Sequence, residues 1–197
     1  MVSGEDRLTQ YGVALFDLLF IAALLGGFIA GFVQGVVRRL LGIAATMVAF
    51  LLAANLRIPV GEILASSWTQ FPPDYVTMLA FGGLFVVFEV FATVFIQGFY
   101  RRAPIVEDQE WVDEILGGVL GIVQALLLMG IVGIILASYF GAPGEIYDPD
   151  EYGILRTAYD GIVLSTTGTF ILDTLVPVFI ALSGPLVPDS LRLLFVR

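Results

Sequence analysis

The sequence predicts an all-α integral membrane protein: four transmembrane helices plus a C-terminal amphipathic or re-entrant helical segment. Three observations lead there. Apolar stretches of spanning length recur at about residues 12–36, 37–55, 78–100 and 115–140, and a hydrocarbon core roughly 30 Å thick takes about 20 helical residues to cross. Hydrophobic residues make up 58% of the chain and charged ones 14%, a balance that fits lipid as the solvent. The runs do not alternate polar with apolar as barrel strands do. Only helices and closed barrels satisfy their backbone in hydrocarbon, so the runs read as helices.

The order of elements is set by what interrupts the apolar runs. Residues 1–140 form the four-helix domain, and 141–197 an acidic loop with a membrane-associated helix. The first run comes after an acidic start (Glu5, Asp6) and is too long for a cleaved secretory signal, so it is expected to be retained. Arg38 and Arg39 come next, placed in the first turn of the second helix with their heads reaching to the interface. Trp68, Phe71, Pro72, Pro73 and Tyr75 mark a membrane boundary, with a short interfacial helix expected over 61–70. The third run ends at Arg101 and Arg102. An acidic link (Glu107, Asp108, Glu110, Asp113, Glu114) leads to the fourth. Residues 141–159 read as a loop from their Gly and Pro. In 161–187, Asp173, Pro177 and Pro185 break the apolar pattern, while Ile171, Leu175, Val178 and Leu182 keep helical spacing. A helix on or dipping into the membrane is favoured over a fifth span.

Composition excludes several classes of function. The chain has no Cys and no His, which removes disulfides, thiol nucleophiles, Cys/His metal sites and a histidine base. No HExxH, P-loop or nucleophile elbow is present. The expectation is a protein that is not an enzyme, with no catalytic residue, cofactor or metal. A net charge of −9 argues against nucleic acid. The acidic link lacks calcium-loop spacing and reads as a solvated face, with Glu107 and Asp108 able to pair with Arg101 and Arg102. Arginine counts place the first and third connections in the cytoplasm and the N-terminus outside, in the plasma (inner) membrane.

The third run carries the most information. At about 100° per residue, Gly82, Val86, Glu89, Thr93 and Gln97 fall on one stripe and Phe81, Phe85, Phe88, Phe95 and Phe99 on another. The expectation is rings toward lipid and small or polar groups toward the bundle. Glu89 sits near the midpoint, where an ionised carboxylate costs roughly 2.5–3.5 kcal/mol or more. It reads as a proton or ion site, or as a neutral carboxyl bonded across the bundle. Helical rise places Gln124 and Thr46 at matching depth, and a Glu89–Gln124–Thr46 cluster is expected. Asp17 lines an outer vestibule or caps a neighbouring helix. Gly27, Gly31 and Gly35 form one four-residue seam and Gly117 and Gly121 another; such seams let helix backbones approach closely.

These residues resemble the colicin V production protein family. The likeness rests on Phe16-Asp17-Leu18-Leu19, on the Gly31 to Arg39 stretch running into a basic turn, on an aromatic third helix, and on Val112 to Gly121, an Asp followed by glycines. Glu114 stands where family members commonly have a basic residue. The resemblance implies a four-span inner-membrane protein tied to toxin production or secretion and envelope physiology, with no established catalytic site and no room for the protease domain that some relatives carry. Expected partners are the lipid bilayer, further copies of the chain and other membrane proteins. A conduit for ions or small solutes and a scaffold that recruits partners both remain open.

Overall fold

The computed structural model describes residues 4–99, 110–141, 153–183 and 186–195. Among these, every regular element is helical: α1 (Gly4–Gln34), α2 (Val36–Ala65), α3 (Pro73–Phe99), α4 (Glu110–Phe140), α5 (Gly153–Leu164), α6 (Thr166–Phe170), a π-helical turn (Ile171–Leu175), α7 (Val176–Ser183) and α8 (Asp189–Phe195). The four long helices are each apolar and long enough to cross a membrane, and α5 meets the next helix at 77°.

Helix ends depart from the hydropathy pattern because helices outrun their apolar stretches. α2 does not stop near Asn55. It continues through Pro59 to Ala65, so the interfacial helix expected over 61–70 is instead the last turn of α2 and the tight turn after it, with Trp68 N bonded to Leu64 O at 2.9 Å. α3 begins at Pro73, where a proline forfeits nothing because that N–H would have no helical partner. Residues 153–159, expected as loop, open α5.

Gly35 alone joins α1 to α2. Its φ is +77°, a left-handed conformation that glycine adopts without a Cβ penalty. Its N–H bonds Gly31 O at 2.9 Å, closing α1, and its carbonyl accepts from Arg39 N at 3.3 Å, opening α2. From this turn α1 packs chiefly on α4, while α2 packs chiefly on α3 and also along α4.

The α1–α4 contact is backbone to backbone. A Cβ at Gly27 would lie 2.6 Å from Gly121 O, and one at Gly117 would lie 2.5 Å from Gly31 O and 2.9 Å from Gly35 Cα. The two glycine seams face one another. The α2–α3 contact is made by rings instead: Phe50 and Phe81 are wholly buried, with centroids 5.9 Å apart.

The C-terminal elements form a bent hairpin packed into the bundle. Tyr159 stacks on Phe140 at 5.6 Å; Ile171 and Val176 then reach Gly130, and Leu172 reaches Gly133, about 15 Å deeper along α4. The chain returns so that Leu186 O accepts from Asn55 at 3.2 Å and Ser190 accepts from Arg57 at 2.7 Å, near the end where it entered. The π turn, with Val176 N bonded to Ile171 O, shifts the register by one residue. Ile171, Val176 and Ile180 therefore form the buried face, and Val178, expected in that stripe, is 54% exposed; the Leu182 side chain lies outside the described ones. Buried residues of the hairpin join the same core as Phe20, Phe50, Phe81 and Tyr139.

Candidate functional site

The polar centre of the bundle is built on α2, where Arg39, Gly42 and Thr46 share a face by their spacing. Thr46 is wholly buried. Its hydroxyl lies 3.0 Å from Gly42 O, the local helical bond a mid-helix threonine makes. It also lies 2.9 Å from Glu89 Oε1 on α3 and accepts from Gln124 Nε2 on α4 at 3.3 Å. Gln124 Oε1 in turn accepts from Arg39 Nη1 at 2.6 Å. An arginine only donates, so this last bond fixes which way the Gln124 amide faces. Gly42 makes the room: a Cβ there would be 3.1 Å from the Gln124 amide.

The result is a chain Arg39–Gln124–Thr46–Glu89 across three helices. Thr46 lies about 15 Å into α2 from the Gly35 turn, half the thickness of a bilayer core. Two atoms in it are buried with no hydrogen-bond partner, Glu89 Oε2 and Arg39 Nε. One is an acceptor and the other a donor, and no described ion pair joins the two residues.

Of the residues expected to form an intramembrane polar site, the structure brings Glu89, Gln124 and Thr46 together. Thr93 is exposed on the outer side of α3, away from the cluster. Asp17 is elsewhere too. Its carboxylate accepts from the Thr167 hydroxyl and from Thr167 N at 3.4 Å, beside the Ser165 cap whose oxygen accepts from Gly168 N at 2.9 Å. Asp17 thus accepts from the first turn of a neighbouring helix, the capping role expected as one of its two readings. Gly27, Gly31, Gly35, Gly117 and Gly121 all lie in the α1–α4 seam or at its turn.

The expected division of α3 is corrected. Phe81 and Phe85 face the bundle, at 0% and 5% exposure, and Val86 faces outward at 57%. The rings are held by the bundle's own core: Phe81 packs on Phe50 and under Arg57, and Phe81 and Phe85 share one core with the buried Ala49, Ala53 and Ala54, whose small side chains leave room for large ones. Lipid is as apolar as the core, so burying a ring is not driven by water on either side. Glu89 sits at the border of the two faces, half-buried. The side chains of Gln97 and Phe99 lie outside the described ones. Outside the described residues too are the pairings expected for Arg101, Arg102, Glu107 and Asp108.

Three charged residues were not singled out as site members by the sequence. Arg39 does not reach to the interface; it turns inward to Gln124. The i, i+3, i+7 spacing of Arg39, Gly42 and Thr46 was the available signal. Asp113 is buried, and its Oδ1 accepts from Val36 N at 3.3 Å, placing a carboxylate at the positive end of α2. Arg57, only 7% exposed, lies 5.7 Å over the Phe81 ring. The aromatic layer of Phe50, Phe81 and Phe85 therefore separates the Glu89 cluster from a second polar group at the other end of the bundle. An apolar groove of about 400 Å³ opens between α2 and α3, lined by Ala44, Ala45, Val48, Phe88, Ala92 and Ile96. Among the described residues no group of acids converges to hold a metal ion.

The family model described as Colicin V production protein matches residues 16–151, a stretch that contains the whole polar cluster and both glycine seams. Neither a curated protein nor a solved structure matches the chain.

Proposed function

The chain belongs to the colicin V production protein family, and from that premise we propose that it is a non-enzymatic conduit of the inner membrane. In this reading it passes an ion or small solute in support of toxin production or secretion and envelope physiology. One observation carries the reading: a connected polar chain, Arg39–Gln124–Thr46–Glu89, in the interior of a protein whose four long helices are apolar enough to span a bilayer. An ionisable group at membrane depth is costly to keep, and such groups mark ion pathways and proton relays. The arginine counts favour a cytoplasmic Gly35 turn and an external N-terminus, so the cluster is reached from the cytoplasmic side.

A single copy holds only half a path. Beyond Glu89 the buried rings of Phe50, Phe81 and Phe85 fill the space. A complete conduit therefore needs further copies of the chain or a movement of that layer. The same closure favours a second reading, a scaffold that recruits membrane partners and conducts nothing. Proton and small-ion flux into liposomes separates them, with wild type beside Glu89→Gln. The conduit reading expects flux that falls at least tenfold in the variant while oligomeric mass in mild detergent is unchanged. No flux in either, with both correctly folded, leaves the scaffold; equal flux in both keeps a conduit but removes Glu89 from its path.

A further inference from the structure

We propose that Glu89 is a reversible proton-binding site, and that its proton decides whether Arg39 is held by Gln124 or pairs directly with the Glu89 carboxylate. The inference deepens the conduit reading, on which it rests for its consequence: the species moved is the proton.

Hydrogen-bond valence makes the case. Gln124 Nε2 donates to Thr46, because its Oε1 is taken by Arg39. The Thr46 hydroxyl has one proton and two neighbours placed to receive it, Gly42 O at 3.0 Å and Glu89 Oε1 at 2.9 Å. With a proton on Glu89 Oε1 the conflict disappears. Glu89 donates to Thr46, Thr46 donates to Gly42 O, and every contact in the chain has one donor and one acceptor. The buried Oε2 is then a neutral carbonyl oxygen. Without the proton it shares a full negative charge, dry and without a partner, which is the arrangement low-dielectric surroundings tolerate least.

The same geometry sets the outcome when the proton leaves. Thr46 turns its hydroxyl toward the carboxylate, and the nearest described cation is Arg39, whose Nε is buried and unpartnered. An unpartnered acceptor on one residue and an unpartnered donor on the other are what a bidentate arginine–carboxylate pair needs. Of the other charges, only Arg38 among the described residues is close to Arg39 in the chain. On α2, Arg38 lies one residue nearer the turn. On α4, the nearest described acid to Gln124 is Glu114, about 15 Å away along the helix, with Asp113 beyond it. On α3, the nearest described charge to Glu89 is Asp74, about 22 Å away. The proton leaves to water arriving past Arg38 and Arg39, and Gln124 is released.

Infrared difference spectra of the full chain in phosphatidylcholine vesicles, stepped in pH, test this. The expected result is a carboxylic-acid C=O band that is absent in Glu89→Gln and shifted in Glu89→Asp. It declines as pH rises, together with a change in guanidinium bands that is absent in Arg39→Gln. No Glu89-dependent band at any pH overturns the proposal. So does a band that declines with no change at Arg39. The outcome is independent of transport: a band without flux removes the conduit and keeps the proton site, while flux without a band does the reverse.

Discussion

α1 meets α4 along glycines, with a carbonyl of each helix where the other's side chains would stand. α2 meets α3 across whole phenylalanine rings, Phe50 against Phe81. The first contact leaves no volume for a functional group. The second spaces the helices far enough apart for Glu89, Thr46 and the groove beside them. Close approach holds the bundle; the wider contact, completed by Gln124 from α4, is where chemistry fits.

This contrast is easiest to break at the glycine seam. Gly121→Leu or Gly31→Leu puts a side chain into the facing backbone, and over-packing of this kind costs about 3 kcal/mol or more. Reversible unfolding in mixed micelles reads it; near-wild-type stability in either variant would mean that the seam does not hold the bundle. Phe81→Ala tests the other contact. It empties a wholly buried site and is expected to cost about 3 kcal/mol, while also depriving Arg57 of the ring beneath it.

Much of this division was legible in the sequence. Four-residue glycine spacing in two runs marked both seams, and helical rise alone put Glu89, Gln124 and Thr46 at one depth. Which way α3 faces was not legible, because in lipid a phenylalanine is equally content on either side, and the partners that hold Phe81 inward, Phe50 and Arg57, lie on another helix. Arg39 was misread for a related reason: an arginine near a helix start reaches the interface unless an acceptor waits inside, and that acceptor lies 85 residues along the chain. The π turn, which moved the buried stripe from Val178 to Val176 and Ile180, leaves no composition signal. The Thr167 partner of Asp17 was not legible because it lies 150 residues along the chain.

Smaller effects sharpen the comparison. Gly35→Ala forces a non-glycine residue to φ +77° and pushes its Cβ at the Asp113 carboxylate, for an expected loss of about 2 kcal/mol in the same unfolding assay. Thr46→Val leaves the Gln124 amide without its acceptor and is expected to cost about 1 kcal/mol. Gly26→Ala sits one residue from the seam with nothing within 4 Å of the new Cβ, and is expected within about 0.5 kcal/mol of wild type. A large loss there would mean that the free face of α1 is also covered.

The central claim is that the seam holds and the cluster works. Proton flux per folded molecule, measured in liposomes for Gly121→Ala and Glu89→Gln beside wild type, tests it most directly. Gly121→Ala, though less stable, is expected to carry near-normal flux per folded molecule, and Glu89→Gln, with near-normal stability, almost none. Undiminished flux in Glu89→Gln would contradict the claim.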